Sequence, residues 1–302
     1  MSQKEIIGKF TLNYKYYSGQ DYYSDGDIEE ELLSICKSDK VQDAILHNSA
    51  WPIVYHLSPI RENILEWYPF RKKASLLEIG SGCGALTGLF TKKVDDVICI
   101  ELSKRRSIIN AYKNGKNGVA EIYVGNFKNI KINKKFDYVT LIGVLEYAKS
   151  YIASNNSYVD MINQTKNYLK DDGKLIIAIE NKQGMKYWAG AAEDHTGSPY
   201  DGINNYVKGA GALTFSKPEL EQMLRKCGFN DIKFYYPVPD YKLPTVIYSD
   251  DCLPDAGEIR GVKVAYAGDN YKMFDEEIAF DNVCKDGLFP YFANSFLVIA
   301  KR

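Results

Sequence analysis

Three histidines, His47, His56 and His195, are all that this chain of 302 residues carries, so a histidine-rich metal centre is not expected and no metal is assigned. The six cysteines, Cys36, Cys83, Cys99, Cys227, Cys252 and Cys284, form no CxxC pair and have no histidine set beside them. Disulfide scaffold and zinc site are both disfavoured, and reduced thiols in a cytosolic chain are the simpler reading. Charge of one sign is also missing. Lys and Arg number 38 against 39 Asp and Glu, a formal net charge of -1, which leaves no basic excess for binding nucleic acid in bulk. No apolar run approaches the roughly 18 residues of a membrane span, and MSQKEIIGKF lacks a signal-peptide core. A cytoplasmic location is expected. What is present is ordinary for a packed domain, 45% apolar and 25% charged residues, with 24 tyrosines as the one compositional excess.

Five of those tyrosines, Tyr14, Tyr16, Tyr17, Tyr22 and Tyr23, crowd one stretch that reads as a separate N-terminal piece. Residues 28–70 then read helical, around Ile28 to Cys36, around Val41 to Leu46, and from an N-cap at Ser58 with Pro59 in the first turn through Trp67. From residue 75 short apolar runs alternate with amphipathic segments, the pattern of βαβ units. Strands are expected at about 75–80, 96–101, 119–124, 136–142, 174–180, 231–236 and 294–300. A helix carrying Tyr158, Met161, Ile162, Thr165 and Leu169 should close at Asp171-Asp172-Gly173. Another should open with a capping box at Ser216 and Glu219 and end at Gly228. The fold expected is α/β, a Rossmann-like doubly wound seven-stranded sheet with an N-terminal tail and helical cap over 1–70. The domain proper would span 71–302, with insertions at about 181–213 and 237–293, the second serving as a lid of a few short strands that carries Tyr241, Tyr248, Tyr266 and Tyr271.

The strongest chemical signal is Leu76-Leu77-Glu78-Ile79-Gly80-Ser81-Gly82-Cys83-Gly84-Ala85, a buried strand running into three alternating glycines and a helix. Glycine lets the backbone turn sharply and approach a ligand where a Cβ would collide. Glu101 ends the next strand about 20 residues on, where a carboxylate can accept from both hydroxyls of a ribose. Loop and acid together point to an adenosine-type ligand. Gly80, Gly82 and Ala85 also satisfy the dinucleotide pattern G-x-G-x-x-A. Glu78 argues the other way, since an acid two residues before the first glycine would repel a pyrophosphate but suits an amino group and a sulfonium. Cys83 and Cys99 read as small buried hydrophobes.

These residues resemble the class I S-adenosylmethionine (SAM)-dependent methyltransferases over about residues 75–235 and the last strand. EIGSGCG is similar to their first motif, IELS at 100–103 to the second and GNF at 125–127 to the third. FDYVTLIGVLEYA at 136–148 is similar to the fourth, and LKDDGKLIIAIEN at 169–181 to the fifth strand and its approach. The resemblance implies SAM as cofactor, with Gly80, Ser81, Gly82 and Gly84 under its methionine part and Glu78 fixing the amino group. Glu101 would bind the ribose, Leu102 would pack on the adenine, Asn126 would bond its edge with Phe127 beside it, and the backbone of Ile142 and Gly143 would face the methionine end. Asn126 stands where the family has an acid.

The acceptor has to be read outside that core. No [DNS]-P-P-[YFW] and no Pro-Cys nucleophile is present, so DNA is not expected as a partner. The run from Glu180 to Ile203 resembles the ENxxGxxYxAGxxEDHTGxPxDGI stretch of a bacterial methyltransferase group found with glycosyltransferases of surface polysaccharide assembly, and residues 51–70 are similar to the same group. That resemblance implies O-methylation of a sugar hydroxyl, in a glycan or a nucleotide-linked sugar, with glycosyltransferases as partners. A sugar hydroxyl needs a base, and His195, flanked by Glu193 and Asp194, is the candidate; the other reading has His195 pin the loop while the acids are solvated. Asn181, Tyr187, Trp188 and Tyr200 are candidate acceptor contacts, with simple packing as the alternative for the aromatics. Arg61 can hold an acidic group of the acceptor, a surface ion pair being its other reading. The rival functions are a methyltransferase for another small molecule or a protein, a non-catalytic SAM-binding module of a glycan assembly complex, and an NAD-dependent sugar dehydrogenase.

Overall fold

The computed structural model describes residues 3–21, 24, 26–262 and 271–302; Tyr22, Tyr23 and Tyr266 lie outside them. Contacts divide the chain into two compact units. The first is Met1–Leu141 with Asn167–Gly173, the second Ile142–Lys166 with Lys174–Arg302.

The first unit begins with a hairpin, β1 (Lys4–Ile7) and β2 (Phe10–Tyr16), turned at Gly8. Gly8 has φ +61°, and a Cβ there would come within 2.5 Å of the Gly115 carbonyl oxygen, which accepts from the Lys9 amide. Helices α1 (Ile28–Lys37), α2 (Val41–His47) and α3 (Trp51–Leu57) follow, then a 3₁₀ turn (Pro59–Glu62) and α4 (Asn63–Glu66). The Ser58 hydroxyl does cap this last segment, accepting from the Ile60 amide at 3.3 Å, although two short turns stand where one helix was expected. The alternating pattern then appears as β3 (Ser75–Ile79), α5 (Thr87–Lys93), β4 (Asp96–Glu101), α6 (Lys104–Asn114), β5 (Ala120–Gly125) and β6 (Phe136–Ile142).

The strand order in this unit is β1-β2-β5-β4-β3-β6, parallel from β2 to β6. The N-terminal stretch is therefore not a separate piece. Phe10 and Leu12 are fully buried opposite Ala120 and Ile122 of β5, an inward pair that the surrounding tyrosines obscure. The cap packs Leu32, Cys36, Ile53 and Leu57 against Ile109 of α6 and Cys83 of the glycine loop. A buried ion pair, Arg106 Nε to Glu29 Oε1 at 3.0 Å, ties α1 to α6. The cap thus fixes the loop from outside.

The second unit carries α7 (Ala148–Tyr151), α8 (Ser157–Lys166), most of β7 (Leu169–Glu180), α9 (Met185–Trp188), α10 (Lys217–Lys226), β8 (Asp231–Val238), β9 (Val246–Ser249), α11 (Glu276–Lys285), α12 (Phe289–Phe292) and β10 (Ser295–Lys301). Its strands run β7-β10-β8-β9, all antiparallel. Among the described residues ten strands are present where seven were expected; the additions are β1, β2 and β9. Among the described residues the connection 237–293 holds one strand and two helices where several strands were expected, with the Asp275 carboxylate capping α11 through the amides of Glu277 and Ile278. Asp171, Asp172 and Gly173 lie inside β7 instead of ending a helix. Gly173 fits because a Cβ would come within 2.9 Å of the Phe136 carbonyl oxygen, so the tight approach that reads as a turn is a strand contact. The capping box stands as expected, with Glu219 Oε2 accepting from the Ser216 amide at 2.8 Å. All six cysteines are free thiols, with Cys83 and Cys99 buried. Among the described residues no helix is long and apolar enough to cross a membrane.

If β2 is an integral strand, Leu12→Ala should destabilise the chain by about 2–5 kcal/mol in urea unfolding. An unchanged midpoint would detach the hairpin from the folded core.

Candidate active site

In the first unit the glycine loop turns at the end of β3 with φ +74° at Gly80, +52° at Gly82 and +79° at Gly84. Gly84 has no room for a side chain, since a Cβ would fall 2.5 Å from Asn114 Nδ2, which donates to the Gly84 carbonyl at 2.9 Å. Asn114 also donates to Asn110, and Asn110 to Thr87, so α6 grips the loop through a chain of amides. Ser81 sits inside the turn with its hydroxyl buried and without a hydrogen-bond partner among the described residues. An orphaned hydroxyl in a loop shaped by positive φ is what a polar ligand would complete.

Two acids flank the loop, both buried. Glu101 Oε2 accepts from the Gly82 amide at 2.7 Å and Oε1 from the Ser103 amide at 2.9 Å, so each oxygen keeps a lone pair for a ligand hydroxyl. Burial raises its pKa, against Arg106 and those amides. Glu78 Oε2 accepts from Thr87 Oγ1 at 2.6 Å and faces the Cys99 thiol at 3.4 Å. Burial pushes its carboxyl up to about 7, over the opposing pull of the Thr87 and Cys99 hydrogen bonds. Asn126 turns its Oδ1 onto the Lys128 amide at 2.9 Å, leaving its amide nitrogen for a ligand edge, and Phe127 is buried beside Tyr168. Leu102 is half-buried. These residues fit the expected cofactor in kind: ribose acceptors, an orphaned hydroxyl, and an acid beside the loop.

The second unit gathers a buried polar cluster that begins at Gly143. A Cβ on Gly143 would lie 3.0 Å from the Tyr241 hydroxyl and 3.6 Å from Glu146 Oε1, and the glycine φ is +66°. Glu180, at the end of β7, takes Lys242 Nζ at 2.6 Å and the Tyr241 hydroxyl at 3.2 Å on Oε1. Its Oε2 faces His195 Nε2 at 3.6 Å, and His195 Nδ1 lies 3.1 Å from the Tyr147 hydroxyl. Glu146 Oε2, Glu180 Oε2 and His195 Nε2 are all buried without a hydrogen-bond partner among the described residues.

Electrostatics follow from that crowding. Burial would raise Glu180, but Lys242 and His195 hold it well below the usual carboxylate range. For Glu146, burial and the Glu180 charge outweigh the pull of His195 and Lys242 and push it up to about 8. Burial alone would lower His195; the Glu180 carboxylate close to its ring and the charge of Glu146 lift it to about 9.

The other expected residues divide. Asp194 is held by Lys186 Nζ at 2.7 Å, Lys242 Nζ at 2.9 Å and the Tyr187 hydroxyl, which neutralise it. Glu193 accepts from the amides of His195 and Thr196 at 2.8 and 2.7 Å and from Tyr206 at 3.2 Å, so it shapes the loop that carries His195. Asn181 is fully buried and spends its side chain on the carbonyls of Tyr291 and Ala293 and the Gln183 amide, which removes it from acceptor contact. Tyr187 is likewise buried on Asp194 and offers no ring to a sugar, whereas Trp188 is 40% exposed and Tyr200 half-buried. Arg61 is buried rather than at the surface, its guanidinium 4.5 Å over the Tyr55 ring. Glu146, Glu180, Tyr147, Lys186 and Lys242 were not singled out from the sequence. An acid closing a buried strand, as Glu180 does, was the available signal.

A family model described as a methyltransferase domain matches residues 55–233, more than half of the chain. No curated protein matches. Among solved structures, the chain is similar to a SAM-dependent methyltransferase, possible histamine N-methyltransferase, of Thermotoga maritima, at 14% identity over 89% of this chain and 99% of that one, TM-score 0.47. It is also similar to phosphoethanolamine N-methyltransferase 1 of Haemonchus contortus, in complex with phosphoethanolamine and S-adenosylhomocysteine, at 11% identity over 92% and 51%, TM-score 0.49. A SAM-dependent methyltransferase of Archaeoglobus fulgidus matches at 14% over 82% and 94%, TM-score 0.48.

The raised carboxyl of Glu78 gives a pH signature. Its folded value near 7 stands above the ordinary 4.5, so its contribution to stability is fully present below 4.5 and is lost as pH rises to 7. Glu78→Gln should therefore match wild type near pH 4.5 and exceed it by on the order of 3 kcal/mol at pH 8 in urea unfolding. A difference independent of pH would place the Glu78 proton elsewhere.

Proposed function

We propose that this chain, which belongs to the methyltransferase domain family and takes the methyl group it transfers from S-adenosylmethionine, delivers it to a sugar hydroxyl, in a surface glycan or a nucleotide-linked sugar. The observation that carries the reading is the convergence of Glu146, Glu180 and His195, with unpartnered buried atoms, beside Gly143. A neutral amine attacks without losing a proton first. An alcohol has a pKa far above neutrality and needs a proton acceptor as its oxygen attacks, which is what this set supplies. Sugar as the alcohol is supported by the resemblance of residues 180–203 and 51–70 to the glycosyltransferase-associated group, and by the exposed face of Trp188. Glycosyltransferases of the same assembly are the partners that this reading implies.

S-adenosylmethionine, when bound, supplies a methyl group activated on a sulfonium. Gly80, Ser81, Gly82 and Gly84 would cradle its methionine part, Glu101 would take the ribose hydroxyls and Asn126 the adenine edge. Glu78 answers the amino group. In its neutral form His195 takes the acceptor's proton on Nε2, and the carboxylates of Glu180 and Glu146 stabilise the imidazolium that results. Tyr147 orients the imidazole, Lys242 and Tyr241 hold Glu180, and Glu193 holds the loop.

The test is methyl transfer from SAM to a panel of glycans and nucleotide sugars, followed by mass spectrometry. His195→Ala should lower turnover by about 10²-fold or more while SAM affinity stays within a few-fold. Full turnover in that variant would remove the cluster from the chemistry, and transfer only to a metabolite or peptide pool would replace the sugar. In parallel calorimetry with SAM, S-adenosylhomocysteine and NAD, Glu101→Ala should weaken SAM by about 1–3 kcal/mol. NAD binding without SAM binding would overturn the cofactor assignment.

A further inference from the structure

We infer that Glu146, Glu180 and His195 form a binding site for one divalent first-row metal ion, of the Mn²⁺ or Zn²⁺ kind. One ligand atom from each lies within 4.8 Å of the other two. Glu180 Oε2 and His195 Nε2, which face each other, and Glu146 Oε2 have no hydrogen-bond partner among the described residues, although Glu146 and Glu180 are almost wholly buried. A buried carboxylate oxygen and a buried ring nitrogen facing each other at 3.6 Å are poorly placed as a hydrogen bond. They are well placed as two donors on one ion, because donors about 2.1 Å from a common metal lie roughly 3.0–4.2 Å apart.

The surroundings have the form of an outer shell. Tyr147 sits at 3.1 Å from His195 Nδ1, so an Nδ1–H donated to the phenol oxygen turns the Nε2 lone pair toward the two carboxylates. Lys242 and Tyr241 both bond Glu180 Oε1 and leave Oε2 pointing inward. The charge count agrees. With Glu146 and His195 both deprotonated, as ligands must be, Glu146, Glu180, Asp194 and Asp240 set four carboxylates against the ammonium groups of Lys186 and Lys242, an excess that a dication offsets as it displaces those protons. Glu193, bonded by neutral amides and Tyr206, adds to that negative excess. One imidazole with two carboxylates and no thiolate selects a borderline ion with room for further oxygen ligands. Binding needs nothing from the sugar reading, since it is read with no methyl acceptor present.

The test is titration of Mn²⁺ into the chelator-treated full chain, read by loss of the free-ion paramagnetic resonance signal, with Zn²⁺ as competitor and no methyl acceptor present. One equivalent should bind, with a ¹⁴N coupling from an imidazole in the pulsed spectrum. Glu146→Gln and Glu180→Gln should each weaken binding at least tenfold, His195→Gln should also abolish the ¹⁴N coupling, and the exposed Asp286→Asn should bind as wild type. Circular dichroism melts and SAM affinity identify any variant that has lost its fold, and the remaining ones decide. No saturable binding of either ion, or binding unchanged in every folded variant, overturns the site. Methyl transfer that survives metal removal would then stand on its own, and saturable metal binding without any methyl transfer would sink only the function.

Discussion

A fully buried carboxylate at the end of a strand has to find its partners inside the protein, and Glu180 is that carboxylate. Lys242 comes to it from the segment after β8, His195 from the loop after α9, and the Tyr241 hydroxyl completes Oε1. Two long connections that carry little periodic pattern are thereby fastened to one atom pair. Removing one member of a buried pair strands the other, at about 3–5 kcal/mol, which is far more than a surface pair contributes. Asp194 repeats the arrangement one step out, bonding both Lys242 and Lys186, so the loop and the segment after β8 are held twice.

The first unit is governed by a different constraint, steric rather than electrostatic. Its loop is narrow because α6 presses Asn110 and Asn114 into the turn, and the cap presses Leu57 and Ile53 onto the neighbouring Cys83. Glycine at 84 is then required twice, by its positive φ and by the lack of space. Glu101 links shape to chemistry, because the carboxylate expected to meet a ribose also fixes the Gly82 amide. Binding and loop geometry therefore cannot be altered separately at this residue.

How much of this was legible follows from the range of the interactions. β3, β4, β6 and β10 could be read because each is an apolar run with local breakers at its ends, and the glycine loop because three positive-φ positions leave a short motif. The hairpin β1–β2 escaped because its evidence is two inward residues, Phe10 and Leu12, whose partners Ala120 and Ile122 lie over a hundred residues away. β9 escaped because its residues are half-exposed and it pairs only at the edge of β8. His195 was visible as the one histidine of a distinctive loop. Glu146 and Glu180 were quoted inside motifs without a role, since nothing local says that two acids 34 positions apart share a buried space with it.

The unsatisfied atoms complete the physical case. A buried polar atom without a partner costs about 1–3 kcal/mol, and a chain of marginal stability cannot carry many of them idly. Among the described residues, and apart from Arg61, which has other contacts, the atoms of this kind fall in two places: Ser81 and Thr140, on the glycine loop and on the β6 position that pairs with Glu78, and the trio of Glu146, Glu180 and His195. Random packing errors would scatter through the core. Concentration at the glycine loop and at the cluster beside Gly143 puts the atoms with most to gain from a bound partner at the two places proposed to bind one.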